Sequence, residues 1–596
     1  MDFLWSASTT MRNPERTLSF LQTAAEIEGD IWCDETQNKY QTLLIKNRHY
    51  TPMQGGLSDK IYAPIKNLAH EMTYEEAERV FIAKNYVDAP MRGRTSFDPL
   101  EKLGLVNLDG DNRVRITNFG QMFLGGQIDL GEMVFTSLLK TQFPNPISDG
   151  RPTYNIKPFI GVLHLIKRVN ELCESASEKV KGISREEFGI FALSLKDYTA
   201  IPETAVKLLE FRRKKQTFKT DSEKKMFVSE FIVDYLSNFQ NPEKNCREYT
   251  DNMIRYLRLT KYIYIRGGGY YIDLEPRRLV EIEAILANDN ASAGTFTADE
   301  YKAYIGDYYA YTLPFETPQE LRKIAEGVIA EITKMSKELG VVVTQITVPT
   351  DVVALKTEIA ELREQRTALH NLLIKKEYEE TAKIDEAIAA FSNSFAGSGN
   401  KPSVELEKWA NIALNILNDS KLIKPNSPLG DDNEPTFTAP AGVPDIECYY
   451  DDFGAICEVT MLTGRNQWYN EGQPVMRHLR SFEVDNGDCD SYCLFIAPRL
   501  HVDTVNTFWT AVKYEYEGQK QRIVPITITS LIAILKVVKE VKTARRAFTK
   551  DDLRALYDMC VDVGGVSDST KWQTHIGQSI ETWSAGLVGN VVSEKQ

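Results

Sequence analysis

Two short apolar segments with acidic residues at matching ends constrain the fold of this chain most. Residues 446–450 follow a Pro-Asp pair that ends in Asp445, and residues 453–460 carry Glu458 near their end. An Asp-Asp dipeptide at 451–452 separates them. Apolar runs of this length, bounded by turn residues, predict buried β-strands. The sequence therefore predicts a hairpin that holds the carboxylates of Asp445 and Glu458 on neighbouring strands.

The spacing of these acidic residues is that of the PD-(D/E)-x-K nuclease core. Two convergent carboxylates can hold Mg²⁺, which prefers oxygen ligands and keeps several waters, against a phosphate. Such an ion lowers the pKa of a bound water and so provides a nucleophile. Asp445 and Glu458 are therefore the predicted metal ligands, with Mg²⁺ as the cofactor. Thr460 stands where the pattern has a lysine, which would orient the water and offset developing charge.

Two further polar residues, Glu471 and His478, follow the predicted hairpin within twenty residues. The segment that carries them, 464–477, is polar and contains glycine, which predicts a loop or the start of a helix. His478 could act as a general base or bind the scissile phosphate. The alternative is a structural histidine that is hydrogen-bonded to backbone, and the pattern leaves both open.

These residues resemble the catalytic domain of the AlwI-type type IIS restriction endonucleases, which include nicking members. A Glu-Val-Thr takes the place of the Glu-x-Lys ending in that family too. The resemblance extends from Arg12-Asn13-Pro14-Glu15 to Arg522-Ile523-Val524-Pro525, and its main segments are Pro444-Asp445, Cys457-Glu458-Val459-Thr460, Pro474-Val475-Met476-Arg477-His478 and Tyr492-Cys493-Leu494-Phe495-Ile496-Ala497-Pro498.

The resemblance implies a Mg²⁺-dependent enzyme that recognises a short asymmetric DNA site with its N-terminal half and cuts at a fixed distance with its C-terminal half. It implies catalytic roles for Asp445, Glu458, Glu471 and His478. It also matches an upstream catalytic glutamate to Glu405. A methyltransferase partner in the host is implied by the restriction activity alone.

Length and composition set the broad class. A chain of 596 residues with 42% apolar and 26% charged residues predicts three or four soluble globular domains. The start has no basic and apolar leader, and no run approaches eighteen apolar residues, so we expect a cytoplasmic protein without a membrane partner. The eight scattered cysteines predict reduced thiols. The net charge of −14 argues against nucleic acid only if the charge is evenly spread.

Residues 1–150 predict a first, winged-helix-like DNA-recognition subdomain. A capping box at Thr73 starts a helix, a short helix is expected over 98–103, and a hairpin over 106–117 has an Asp-Gly turn. In a winged helix the second helix enters the major groove, which places Arg92 and Arg94 near DNA. Arg12 and Arg16 add positive charge. A winged helix can also serve as a protein-interaction module.

Residues 151–286 predict a second winged-helix-like recognition subdomain. The segment 207–266 contains fourteen Lys and Arg against eight Asp and Glu, a local charge of +6. Strands at 262–265 and 270–274 flank a triple glycine and predict a second hairpin. The predicted DNA-binding residues of this subdomain are Arg212, Arg213, Arg247, Arg255 and Arg258.

The remaining chain predicts a linker over 287–312 and a cleavage domain over 313–596. The linker is inferred from small polar residues. The cleavage domain divides into a helical arm over 313–400 and a nuclease core over 401–596. Strands at 491–497 and 523–528, with a helix over 502–514 between them, predict a mixed α/β sheet with the acidic residues at its edge. The predicted fold class is thus multidomain α+β, with a PD-(D/E)xK-type nuclease domain.

The favoured hypothesis is a sequence-specific endonuclease acting on double-stranded DNA. One active site cuts one strand, so a double-strand break needs a second cleavage domain, from transient dimerisation or from a small subunit. The alternative is a DNA-binding regulator with a degenerate nuclease domain, of which Thr460 would be the symptom. A glycoside hydrolase with two carboxylates would leave the basic N-terminal half unexplained.

Overall fold

The computed structural model divides the chain into two compact units. The first unit contains Met1–Ile265 and Tyr271–Ile324, and the second contains Arg266–Tyr270 and Ala325–Gln596. The structure describes all residues except 1, 7–10, 68–69, 149–152, 267–270, 342–347, 396–401, 418–421, 428–434, 436–437, 441, 488, 545 and 594–596.

The first unit is mainly helical, with two small sheets. Its helices and strands are α1 (Thr17–Ala25), α2 (Asp34–Lys46), α3 (Asp59–Lys66), α4 (Tyr74–Ala83), α5 (Pro90–Lys102), β1 (Val106–Leu108), β2 (Val114–Ile116), α6 (Asn118–Leu124), α7 (Leu130–Lys140), α8 (Pro158–Ser175), β3 (Ile183–Ser184), α9 (Arg185–Glu187), α10 (Ile201–Thr217), α11 (Asp221–Tyr235), α12 (Pro242–Leu257), β4 (Ile263–Arg266), β5 (Tyr271–Leu274), α13 (Leu279–Asn288) and α14 (Ala298–Gly306).

The predicted order of helix, helix and hairpin is present over α4, α5, β1 and β2. Thr73 and Glu76 form the predicted capping box of α4, and β1 pairs with β2 antiparallel. The short helix predicted over 98–103 is wrong, because α5 begins at Pro90 and includes the segment thought to precede it. Proline fits the first turn of a helix, where its missing N–H has no partner to lose. The assignment to the winged-helix class stays a prediction.

The second predicted hairpin corresponds to β4 and β5, which lie next to each other in a three-stranded sheet of order β3-β5-β4. Its triple-glycine turn lies outside the described residues. Ile183 and Ser184 of β3 pair antiparallel with Ile272 and Tyr271 of β5. The strand β3 was not predicted, because two residues give no readable period.

The flexible linker predicted over 287–312 differs from the structure. Lys157 forms an ion pair with Asp289 at 2.7 Å, and the buried Lys140 amine donates to the carbonyl oxygens of Ile305 and Asp307. Tyr301 in α14 is fully buried. Small polar residues predict a linker only when nothing packs on them, and here they pack within the first unit, which continues to Ile324.

The remaining elements, from α15 onward, build a five-stranded mixed sheet with helices packed around it. They are α15 (Pro318–Leu339), α16 (Val352–Glu379), α17 (Thr381–Ser392), α18 (Pro402–Ile416), β6 (Leu422–Pro425), β7 (Ile446–Tyr449), β8 (Phe453–Val459), α19 (Arg465–Asp485), β9 (Asp490–Ala497), α20 (Val502–Lys513), β10 (Ile523–Thr527), α21 (Ile528–Thr543), α22 (Lys550–Val561) and α23 (Ser569–Ser593). None of the helices in the described ranges is long and apolar enough to cross a membrane.

The sheet confirms the predicted strands and corrects their position. Its order is β10-β9-β8-β7-β6, with β8, β9 and β10 parallel and β6 and β7 antiparallel to their neighbours. The prediction that the acidic residues sit on the sheet edge is wrong, because β6 pairs with β7 and covers it. The exposed and half-exposed residues of β6 gave no apolar pattern to read.

The predicted helical arm is present as α15, α16 and α17. Leu355, Ile359 and Leu362 of the predicted seam are buried. Arg366, which interrupts the seam, is also buried and its guanidinium donates to Glu331 of α15 at 3.2 Å. The charged interruption is therefore accommodated by a carboxylate on a neighbouring helix.

Candidate active site

Asp445 and Glu458 lie side by side where β7 begins and β8 ends. Ile446 of β7 pairs with Cys457 of β8, so the register sets the preceding Asp445 beside the following Glu458. The backbone N–H of Val459 donates a hydrogen bond of 2.8 Å to Oδ2 of Asp445. The predicted hairpin, with a carboxylate on or beside each strand, is thus confirmed.

Glu471 and His478 both lie on α19, which replaces the loop considered for 464–477. The helix begins at Arg465, after Gly464 with φ 63°, and it continues through Pro474. Residues seven apart complete about two helical turns and share one face. Nδ1 of His478 lies 2.7 Å from Oε1 of Glu458, so this helix brings its histidine directly to the strand carboxylate.

Thr460, in the position of the expected lysine, takes part in the same cluster. Its hydroxyl accepts a hydrogen bond of 3.1 Å from the backbone N–H of Leu462. Burial raises the pKa of Glu471, and a hydrogen bond from the Thr460 side chain offsets part of that increase. Thr460 therefore contacts the cluster through its hydroxyl.

The upstream glutamate that reaches the site is Glu407, not the predicted Glu405. The carboxylate of Glu405 accepts a hydrogen bond of 3.1 Å from Nε1 of Trp409, one turn along α18. Residues two apart on a helix point about 200° apart. Glu407 faces Asp445, and the pKa of Glu407 is raised by burial first and by the charge of Asp445 second. Oε2 of Glu407 accepts a hydrogen bond of 2.9 Å from the N–H of Ala439.

The spacing of apolar residues in α18 could have indicated Glu407 from the sequence. Val404, Ala410 and Leu414 are buried at helical spacing on α18, and Glu407 stands between them on the same stripe. A carboxylate at a core-facing position needs a partner or a function.

Burial raises the pKa of every carboxyl group in the cluster, and repulsion from a neighbouring carboxylate adds to this for Asp445, Glu458 and Glu407. For Asp445 the larger cause is burial and the next is the charge of Glu458, while for Glu458 burial is followed by the charge of Glu471. Burial raises the pKa of Glu407 to about 9, with Asp445 contributing. Burial lowers the pKa of His478, and the nearby Arg477 lowers it further.

The donor set fits a hard divalent cation. Among the described residues, no Lys or Arg forms an ion pair with Asp445, Glu458, Glu471 or Glu407, and the basic group that pairs with the cluster is His478. In the described part of the chain, no three His, Cys, Asp or Glu side chains are arranged so that they could hold a metal by themselves. Mg²⁺ needs only one or two carboxylates and fills its remaining positions with water and substrate oxygens.

The arginines predicted to bind DNA in residues 151–286 fall into different environments. The prediction for Arg212 is wrong: its guanidinium is buried and donates to both carboxylate oxygens of Glu187 at 2.8 Å. Arg258 is largely buried and pairs with Glu15, so it does not line an exposed face. Arg213 pairs with Glu178 and remains half-exposed, Arg255 pairs with Asp251, and Arg247 is exposed.

The arginines predicted to bind DNA in the first 150 residues also lie in different environments. Arg12, Arg16 and Arg92 are exposed and line one cavity. Arg94 does not line it, because its guanidinium donates to Gln37 at 2.9 Å and to Asp88 at 2.8 Å.

The second unit has the architecture of an α/β enzyme. Its mixed sheet brings several carboxylates and a histidine to the ends of adjacent strands, which is a site for acid–base or metal-ion chemistry. The sequence model described as AlwI restriction endonuclease matches residues 101–534, most of the chain. The chain therefore belongs to the AlwI restriction endonuclease family, whose members are site-specific deoxyribonucleases.

The chain was also compared with solved structures and with curated proteins. The small subunit of the heterodimeric restriction endonuclease R.BspD6I is similar at 19% identity and a TM-score of 0.28, over 33% of this chain and 98% of that chain. No curated protein matches the sequence.

Proposed function

We propose that this restriction endonuclease is of type IIS, binding a short asymmetric duplex site with its first unit and hydrolysing a phosphodiester bond at a fixed distance with its second, with Mg²⁺ as cofactor. The observation that carries the proposal is the meeting of Asp445, Glu458, Glu471 and His478 at the ends of β7 and β8. The exposed arginines of the first unit support a DNA-facing role for it.

Asp445 and Glu458 are the residues that would hold the ion, and Glu407 and Glu471, which lie near them, would hydrogen-bond water in the site. When bound, a divalent ion polarises the phosphoryl oxygen and lowers the pKa of a water. The N–H of Val459 holds Asp445 in place by hydrogen bonding one of its oxygens, which leaves the other for a ligand.

His478 supplies a base next to the attacking water. Its lowered pKa keeps the imidazole neutral near neutral pH, as a proton acceptor must be. The hydrogen bond from Nδ1 to Glu458 fixes the ring and leaves Nε2 to take the proton. Glu471, held by Thr460, orients the water. Each of these groups acts on the nucleophile, and the substrate phosphate enters against Asp445 and Glu458.

A double-strand break requires a second site like this one, because one site hydrolyses one strand. We propose that the second site comes from transient dimerisation or from a separate small subunit. Membership in a family of site-specific deoxyribonucleases supports the enzyme over the regulator hypothesis.

The test is cleavage of supercoiled plasmid by purified protein with Mg²⁺ and with EDTA, with the ends mapped by sequencing. Ends at a constant offset from one short motif, formed only with Mg²⁺, are expected. Ends inside the motif, or cleavage that persists in EDTA, would contradict the type IIS and Mg²⁺ parts of the proposal. Nicked or linear product decides between single-strand and double-strand cutting.

A further inference from the structure

A cavity of about 380 Å³ opens in the first unit and gathers basic and polar side chains. Its polar lining comes from Arg12, Asn13, Arg16, Gln41, Tyr50, Arg92, Thr95 and Ser96. Three arginines in one cavity make it a strongly positive depression, although the whole chain carries a net charge of −14. A local basic surface is what a polyanion requires.

One wall of the cavity is a single face of α5. Arg92, Thr95, Ser96 and Pro99 line it at steps of three and four residues, which is one stripe of a helix. The adjacent face packs tightly on α2, where a Cβ added to Gly93 would meet the carbonyl oxygen of Gln37 at 2.1 Å. The wall is therefore fixed in position by its packing.

The floor of the cavity offers buried hydrogen-bonding groups. Gln41 of α2 is 2% exposed, and its Oε1 accepts a hydrogen bond of 2.9 Å from the hydroxyl of Ser96. The hydroxyl of Thr95 donates to the carbonyl oxygen of Arg92 at 3.1 Å. A surface that only attracts phosphate needs no buried amide or hydroxyl, whereas reading base edges needs donors and acceptors in fixed positions.

The arginines of the cavity keep N–H donors for a ligand. The guanidinium carbon of Arg92 lies 4.6 Å from the centroid of the Tyr86 ring, a cation–π contact that consumes no N–H donor. The side chain of Arg12 is 62% exposed, and among the described residues its ion pair is a long one, 3.6 Å to Glu248. Arg94, outside the cavity, differs because its donors are taken by Gln37 and Asp88.

We propose that this cavity is the base-reading site of the first unit, in which Arg92 contacts a guanine edge beside Thr95 and Ser96, while Arg12 and Arg16 contact the flanking phosphates. An arginine forms two parallel hydrogen bonds with guanine O6 and N7, and the contact of Arg92 with the Tyr86 ring restricts where its guanidinium can lie. The proposal rests on the proposed sequence-specific nuclease function and names the residues that set its specificity.

The test measures binding in EDTA, so that cleavage plays no part. A random duplex library selected on the full-length wild-type protein defines the bound motif. Affinities are then measured for that duplex and for single-base variants of it, across a range of salt concentrations, with Arg92→Ala, Arg92→Lys and Arg16→Ala. Lys102→Ala is the control, since Lys102 is basic, lies on the same helix and pairs with Asp98 away from the cavity.

Arg92→Ala is expected to weaken binding of the motif about 10- to 100-fold and to remove discrimination at one G·C pair. Arg92→Lys keeps the charge but not the planar fork, so it should lose the same discrimination. Arg16→Ala should weaken all duplexes alike and reduce the salt slope by about one. Lys102→Ala should change none of these values.

Three results would overturn the inference. Arg92 variants that weaken all duplexes equally would make Arg92 a phosphate contact, and unchanged binding in both Arg92→Ala and Arg16→Ala would remove the cavity from the DNA interface. A wild-type protein that selects no motif would overturn the inference together with the proposed recognition. A selected motif without Mg²⁺-dependent cleavage would contradict the proposed hydrolysis alone.

Discussion

Nδ1 of His478 lies 2.7 Å from Oε1 of Glu458, and this hydrogen bond joins α19 to β8. Burial raises the pKa of the glutamate and lowers that of the histidine. A cation placed at Glu458 would shift the proton of this hydrogen bond away from the carboxyl group. The pair therefore couples the expected ion to the proposed base.

Glu407 and Glu405 provide a matched test of which glutamate of α18 serves the reaction. Glu407→Gln should lower the cleavage rate by about 10- to 1,000-fold, because it removes a carboxylate beside Asp445. Glu405→Gln should keep nearly full activity, since that carboxylate is bonded to Trp409. Single-turnover rates on one duplex compare the two, and the reverse order would return the role to Glu405.

The stability of the metal-free protein should fall as pH rises because of Glu407. Its pKa is about 9 in the folded chain against an ordinary value of 4.5, so the folded state binds more protons between these values. The stabilising effect of the protonated group is full below 4.5 and is lost as pH rises through about 9. Thermal melting in EDTA should show a steeper decline with pH for the wild type than for Glu407→Gln. Identical slopes would show that Glu407 does not cause the pH dependence of stability.

The sequence predicted best where hydrophobic period and turn chemistry agree. Strands β7 and β8 and helix α20 follow directly from apolar runs and their flanking residues. Helix α5 did not, because Gly93 and Pro99 suggest breaks, whereas close packing on α2 requires the glycine. In the site, residue types and short spacing indicated Asp445 and Glu458. The choice between Glu405 and Glu407 depends on the rotation of α18 about its axis, and a resemblance over a few residues of sequence does not determine that rotation.

Arg212 and Arg213 are neighbours in sequence but should contribute very differently to stability. Arg212→Met leaves the buried Glu187 without its cation and should cost about 3–5 kcal/mol of local stability. Arg213→Ala removes a half-exposed pair and should cost less than about 1 kcal/mol. Hydrogen exchange of amides in α8 and α10 measures both. Equal protection in the two variants would show that the Arg212 pair contributes no more than a surface contact.

Lys140 should make the first unit more stable in alkaline solution. Its pKa is lowered from 10.5 to about 7 by burial, so the unfolded chain binds more protons between these values and stability rises with pH across them. Lys140→Met should remove that increase, whatever its effect on overall stability. The measurement is hydrogen exchange in α7 and α14 as a function of pH, corrected for the intrinsic rate. A variant that keeps the wild-type slope would contradict the assignment.

The most direct test of the central claim is single-turnover cleavage of a duplex bearing the recognised motif by Asp445→Asn, with binding measured on the same samples. We predict a loss of at least about 10³-fold in rate with affinity nearly unchanged, because the substitution removes a ligand charge and keeps the volume. Glu447→Gln is the control, since Glu447 lies on the same strand but pairs with Lys424. Cleavage by Asp445→Asn at the rate of this control would contradict the claim that the carboxylates at the ends of β7 and β8 form the active site.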